Sequence, residues 1–254
     1  MRIGDILDGA VKLYRARWKA LMAIVAVLVV PLNFLEAYVT RHLPPAFARK
    51  PFPSGSEHEV VWLVILSALY FLLFFPLLAA GVARGSVKTY LGQEVDVGDT
   101  YRFALRLVPS LLWILLLTFL AMLLGFVLLV IPGIIAMIRL SFATVIRVTE
   151  GHRGGAAISR SWHLSEGYFW KILWTGLVAG IFAALIGGLL VVPTELLFSH
   201  LGPDAWLLSA VGSSIAETIT TPYVTLVTVL LYLDLRIRKE GLDLEVLSQE
   251  MGSP

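Results

Sequence analysis

The chain contains no cysteine. Disulfides, thiolate catalysis and cysteine metal sites are therefore excluded. Charge is scarce as well: charged residues make up 15% of the 254, where about a quarter is usual in soluble domains. The net charge of +2 is too small to argue for a nucleic-acid partner. His42, His58, His152, His163 and His200 show no metal-ligand spacing. No metal and no other cofactor is expected.

What the chain does have is apolar residues, 58% of the total, gathered into long runs. Crossing about 30 Å of hydrocarbon takes about 20 residues of helix. Six runs approach or exceed that length, with charges confined to the gaps between them. Six such helices could not all be buried inside so short a chain. The reading is an all-α, polytopic membrane helical bundle of six transmembrane helices.

One membrane domain is expected over residues 1–254. Residues 1–19 form its first element: Ile3, Ile6, Leu7, Ala10, Val11, Tyr14 and Trp18 recur at helical spacing, with Asp5, Asp8, Lys12, Arg15 and Lys19 opposite. This pattern suits an amphipathic helix in the membrane interface. The apolar run after it is too long for a signal-peptide core, so no cleavable signal is expected. Six spans then fill 20–233, at about 20–39, 60–83, 107–129, 132–149, 168–192 and 205–233. A basic tail, 234–254, ends the chain and suits an anchor on anionic lipid.

Lysine and arginine set the orientation. Segments 1–19, 84–106, 147–171 and 234–254 hold nearly all of them, although loop 40–59 holds three. Both termini are expected in the cytoplasm, with the protein in a cell membrane. A threefold repeat is also visible. Gly4-Asp5, Gly98-Asp99 and Gly154-Gly155 each open an amphipathic segment ahead of a pair of spans. The expected plan is three helical hairpins, each preceded by an interfacial helix, all in one orientation. Gly176 and Gly180, with Gly187 and Gly188 farther on, are expected to permit close helix packing.

Four segments carry a family likeness: Ile3–Leu32, Pro132–Gly151 (PGIIAMIRLSFATVIRVTEG), Ala156–Leu173 (AAISRSWHLSEGYFWKIL) and Leu231–Glu245 (LYLDLRIRKEGLDLE). Together they resemble bacterial membrane proteins related to the membrane domain of glycerophosphoryl diester phosphodiesterases. The likeness covers most of the chain, apart from 40–59 and the residues beyond Ser248. It implies a stand-alone inner-membrane module without the catalytic barrel of the full-length enzymes. Gly151-His152-Arg153-Gly154 echoes the opening of that barrel, but no Glu-Asn pair follows it.

Charges inside spans are the candidate site. Arg139 lies seven residues after Pro132, roughly 10 Å below the outer surface at about 1.5 Å per residue. An arginine at such depth costs at least about 2.5 kcal/mol and faces a partner or the bundle interior. Glu217 and Glu36 are the carboxylates within the same outer third. Pro222 frees the carbonyl of Thr218, and the surrounding threonines are polar for a span. One reading gathers Arg139, Glu217, Glu36, Asn33 and Thr221 around a polar cavity open to the outer leaflet. The other makes Arg139 half of an ion pair fixing spans 1, 4 and 6.

Three function classes follow, in descending order. The first is a non-catalytic membrane protein that handles lipid or another amphiphile, or serves as accessory subunit of a membrane complex. The second is a small-solute transporter or channel component. The third, an intramembrane enzyme, lacks both a nucleophile–base pair and a metal cluster. The expected partners are membrane lipids, with a membrane-protein partner or a second copy of the chain left open.

Overall fold

The computed structural model describes residues 2–42, 57–201 and 206–241, and the side chains among them outside 39–42, 57–73 and 198–201. These residues form eight helices and no strand: α1 (Ile3–His42), α2 (Glu57–Tyr90), α3 (Val97–Leu128), α4 (Val130–Arg139), α5 (Ala143–Thr149), α6 (Gly155–Leu164), α7 (Phe169–Leu201) and α8 (Trp206–Glu240). Five segments are long and apolar enough to cross a membrane: α1, α3, α4 with α5, α7 and α8. The remaining expected span, 60–83, lies within α2, largely on side chains outside the described set. Most of loop 40–59 and of the tail also falls outside the described residues.

The centre of the bundle is α8. It packs most extensively on α1 and α7, and both run antiparallel to it. Along α1, Gly9 meets Leu230, Asn33 meets Glu217, and Tyr38 meets Trp206. Along α7, Lys171 meets Asp234, Phe182 meets Tyr223, and Gly212 sits against Thr194. From Leu226 to Arg236, α8 is almost wholly enclosed. Leu226, Tyr232, Leu233 and Leu235 are 0–1% exposed.

The expected interfacial helices take three different forms. The first is continuous with its span, marked only by a break at Arg17 (φ −134°, ψ 27°). Its apolar face does not lie free: Ile6 and Ala10 are fully buried in the main core. The second is simply the start of α3. Asp96 caps that helix, accepting from the Asp99 N–H at 2.7 Å, which satisfies a first-turn donor. Only the third, α6, stands as a separate helix.

The expected bend between α3 and α4 is tight. Leu129 alone, extended at φ −168°, ψ 156°, separates them. Two glycines permit this. A Cβ on Gly125 would fall 2.8 Å from the Gly133 backbone, and one on Gly133 would fall 2.5 Å from the Phe126 ring. Span 4 itself is not one helix. It breaks at residues 140–142 into α4 and α5.

The glycines of α7 behave otherwise than expected. Around Gly176, Gly180 and Gly188 nothing lies within 4 Å of an added Cβ. An added Cβ at these three would meet no neighbouring helix, and at Gly187 it would lie in ordinary contact, 3.8 Å from Thr220.

Candidate functional site

The break in span 4 decides where Arg139 goes. A helix end leaves its last carbonyls unpaired. Here α6 supplies the donors: Ser161 Oγ donates to the Arg139 carbonyl at 2.7 Å, and Ser165 Oγ approaches the same oxygen at 3.4 Å. The Arg139 guanidinium lies 4.6 Å from the centre of the Trp162 ring, within the range of a cation–π contact. Arg139 therefore belongs with α6, near the basic end of the bundle, rather than with the far third of the spans. Among the described residues no carboxylate comes within ion-pair distance of it.

The other expected site residues stay together at the opposite end. Asn33 Nδ2 donates to Glu217 Oε2 at 3.4 Å. Glu36 is one turn along α1 from Asn33, and Thr221 one turn along α8 from Glu217. Two of the hydroxyls near them are spent on their own helix, while that of Thr218 is buried without a partner. Thr220 donates to the Ala216 carbonyl at 2.8 Å and Thr225 to that of Thr221 at 3.0 Å, the back-bonding common for threonine inside helices. Of the five residues the structure thus joins Asn33 to Glu217, with Glu36 and Thr221 a turn away on their own helices, and leaves Arg139 apart.

The strongest polar assembly is one that span-by-span reading misses. Glu150, at the end of α5, has a side chain only 7% exposed. It accepts from Arg160 Nε at 2.8 Å and from the Tyr232 hydroxyl at 2.7 Å, with Arg236 Nε 3.7 Å away. Tyr232 also shares a 2.8 Å hydrogen bond with Thr149, and Arg236 Nη1 donates to its oxygen at 3.2 Å. Glu240 closes the set by accepting from Arg160 at 2.7 Å and from Arg236 at 3.3 Å. Hydrogen bonds to Glu240 and Glu150 push the Arg160 guanidinium further up from its already high range. Beside this set, Asp234 pairs with Lys171 and, at 3.0 Å, with Arg238. Each carboxylate faces cations, so the assembly is charge-compensated and ties α5, α6, α7 and α8 together. In the sequence Glu150, Arg160, Tyr232, Arg236 and Glu240 are spread over three separate segments, and nothing in them marks the pairing.

Above this layer a groove of about 340 Å³ opens between α4, α7 and α8. Met137, Phe142, Ile172, Gly176, Val227 and Leu231 are among its walls, and its polar groups are the hydroxyls of Ser141 and Thr228. Both hydroxyls bond within their own segment, Ser141 to the Ile138 carbonyl at 2.8 Å and Thr228 to that of Val224 at 3.0 Å. The groove is therefore apolar in effect. It exists because α7 packs closely on α8 but only lightly on α4.

Comparison with family models, with curated proteins and with solved structures returns no match. The functional reading rests on the geometry above.

Proposed function

We propose that this chain is a non-catalytic, multi-pass protein of a bacterial inner membrane that handles lipid or another amphiphile, alone or as a subunit of a larger complex. In this reading six spans form three hairpins, with both termini in the cytoplasm. The family likeness to the membrane domain of glycerophosphoryl diester phosphodiesterases belongs to the same proposal. The observation that carries it is the groove between α4, α7 and α8. Its walls belong to apolar helices whose natural surroundings are acyl chains. It has the size of a small-molecule site, about 300–1,000 Å³, and no polar group free to hold a solute. An acyl chain entering sideways is the occupant that fits.

Gly176 offers a clean test, because it lines the groove and an added Cβ there meets no neighbouring atom. Gly176→Trp should fill the groove and leave the helix packing intact. Native mass spectrometry of protein purified with its lipids should find a lipid complement on the wild type. The variant should have lost it at unchanged thermal stability. Equal lipid retention by both proteins would sink the reading. Orientation can be checked separately, since a chain without cysteine gives clean single-cysteine labelling. Gln93→Cys should react with an impermeant maleimide only from the cytoplasmic side, and Val130→Cys only from outside.

A further inference from the structure

At the basic end of the bundle, α3, α5 and the start of α6 border a second, open cavity of about 560 Å³. Arg106, Arg147 and Arg153 line it, with Ser110, Trp113 and Gly154, and no carboxylate is among its walls. Several cations nearby are paired instead. Arg84, Lys88, Arg160, Lys171, Arg236 and Arg238 each meet a carboxylate. Among the described residues, none of the three cavity arginines does.

Arg147 is the decisive residue. It is 7% exposed, its Nη1 donates to the Gly151 carbonyl at 2.7 Å, and its Nε is buried with no hydrogen-bond partner. The Ser110 hydroxyl on the facing wall is buried and unpartnered too. A buried guanidinium with no counter-charge is costly unless something supplies one. The start of α6 adds to the same field, because a helix N-terminus carries partial positive charge; the Ala156 and Ala157 N–H groups are already spent on the Arg153 and Gly154 carbonyls. Gly154 is required there. Its φ is +51°, and a Cβ would fall 2.6 Å from Trp113 Cδ1.

We infer that this cavity binds the phosphate group of a phosphate ester. Three guanidiniums offer the planar donor forks that match phosphate oxygens two at a time. The Ser110 hydroxyl and the N–H of Gly155, the first residue of α6, offer further donors. Trp113, 54% exposed, gives the mouth an apolar wall. The ester has two sources, an anionic phospholipid whose headgroup enters from the membrane or a soluble phosphate compound. The inference is independent of the acyl groove, since the two cavities share no residue.

The test uses the full chain in detergent. Arg106 and Arg153 are exposed and make no ion pair among the described residues, so Arg106→Gln with Arg153→Gln should fold normally. Arg102→Gln, on the same helix but outside the cavity, is the control. Two probes are titrated: inorganic phosphate, and short-chain phosphatidylglycerol in mixed micelles. The expected result is saturable binding of at least one probe by wild type and control, weakened about tenfold or more in the double variant. Phosphate binding that phosphatidylglycerol does not surpass points to a soluble ester. Tighter phosphatidylglycerol binding, displaced by phosphate, points to the lipid headgroup. Equal affinity of wild type and double variant for both probes, or no binding of either, overturns the inference.

Discussion

Helices α7 and α8 lie side by side and are built on opposite plans. The most apolar stretch of α8 is 67% buried in the bundle, that of α7 only 11%. Yet α8 is the more polar, carrying Glu217, a run of threonines, Asp234 and Arg236, while α7 is nearly pure Leu, Ile, Val, Ala and Gly through its middle. In a water-soluble protein the order would be reversed. In a bilayer, lipid is as good an apolar solvent as a protein core, so apolar side chains gain little by moving inward. Polar groups gain much, because only the bundle interior offers them partners. The lesson is that polarity, not hydrophobicity, marks the centre of this fold.

The largest test of that contrast is Glu150→Ala. It would leave Arg236 and Tyr232, both within the core around α8, without their shared carboxylate. Removing one member of a buried charge pair costs about 3–5 kcal/mol. Thermal unfolding followed by size-exclusion should show a large loss of the folded peak. A small effect would mean that α8 is not the organising helix.

Next comes Gly125→Val at the α3–α4 bend. Its Cβ would meet backbone, which cannot swing aside, so a cost of about 1–3 kcal/mol is expected. The matched change Gly176→Ala on α7 meets nothing and should stabilise by up to about 1 kcal/mol through helix propensity alone. Opposite signs in the two melting curves would confirm that close glycine packing sits at the bend and not on α7. The same sign for both would break the comparison.

The smallest change expected is for Arg139→Leu. It orphans no carboxylate and removes only the stacking on Trp162, an interaction of about 0.5–2 kcal/mol by type. A loss of stability as large as that of Glu150→Ala would restore Arg139 as a central ion-pair partner.

Much of the architecture is legible in the sequence. Helical class, five of the spans, a bend just before Pro132 and the clustering of positive charge all follow from composition and run length. Counting residues from the ends of their spans puts Glu36 and Glu217 in the same outer third, and in the structure Glu217 meets Asn33, one turn from Glu36. The same counting misplaces Arg139, because it assumes a straight helix through residues 132–149. No residue in Leu140-Ser141-Phe142 signals a break by its local propensity. The break is held by Ser161 and Ser165, which come from a different helix.

What the sequence determined by itself, then, is the set of properties carried by one residue or one run. Length and apolarity make a helix suited to hydrocarbon, and the absence of cysteine removes whole classes of chemistry. What only the tertiary structure decided is pairing. Glu150 could have met any cation at the basic end, yet it meets Arg160 and Arg236 while Arg106, Arg147 and Arg153 are left to face a cavity. Ion pairs act over a few ångströms between residues up to 86 positions apart in sequence. Which of them come within reach is settled by how the helices pack.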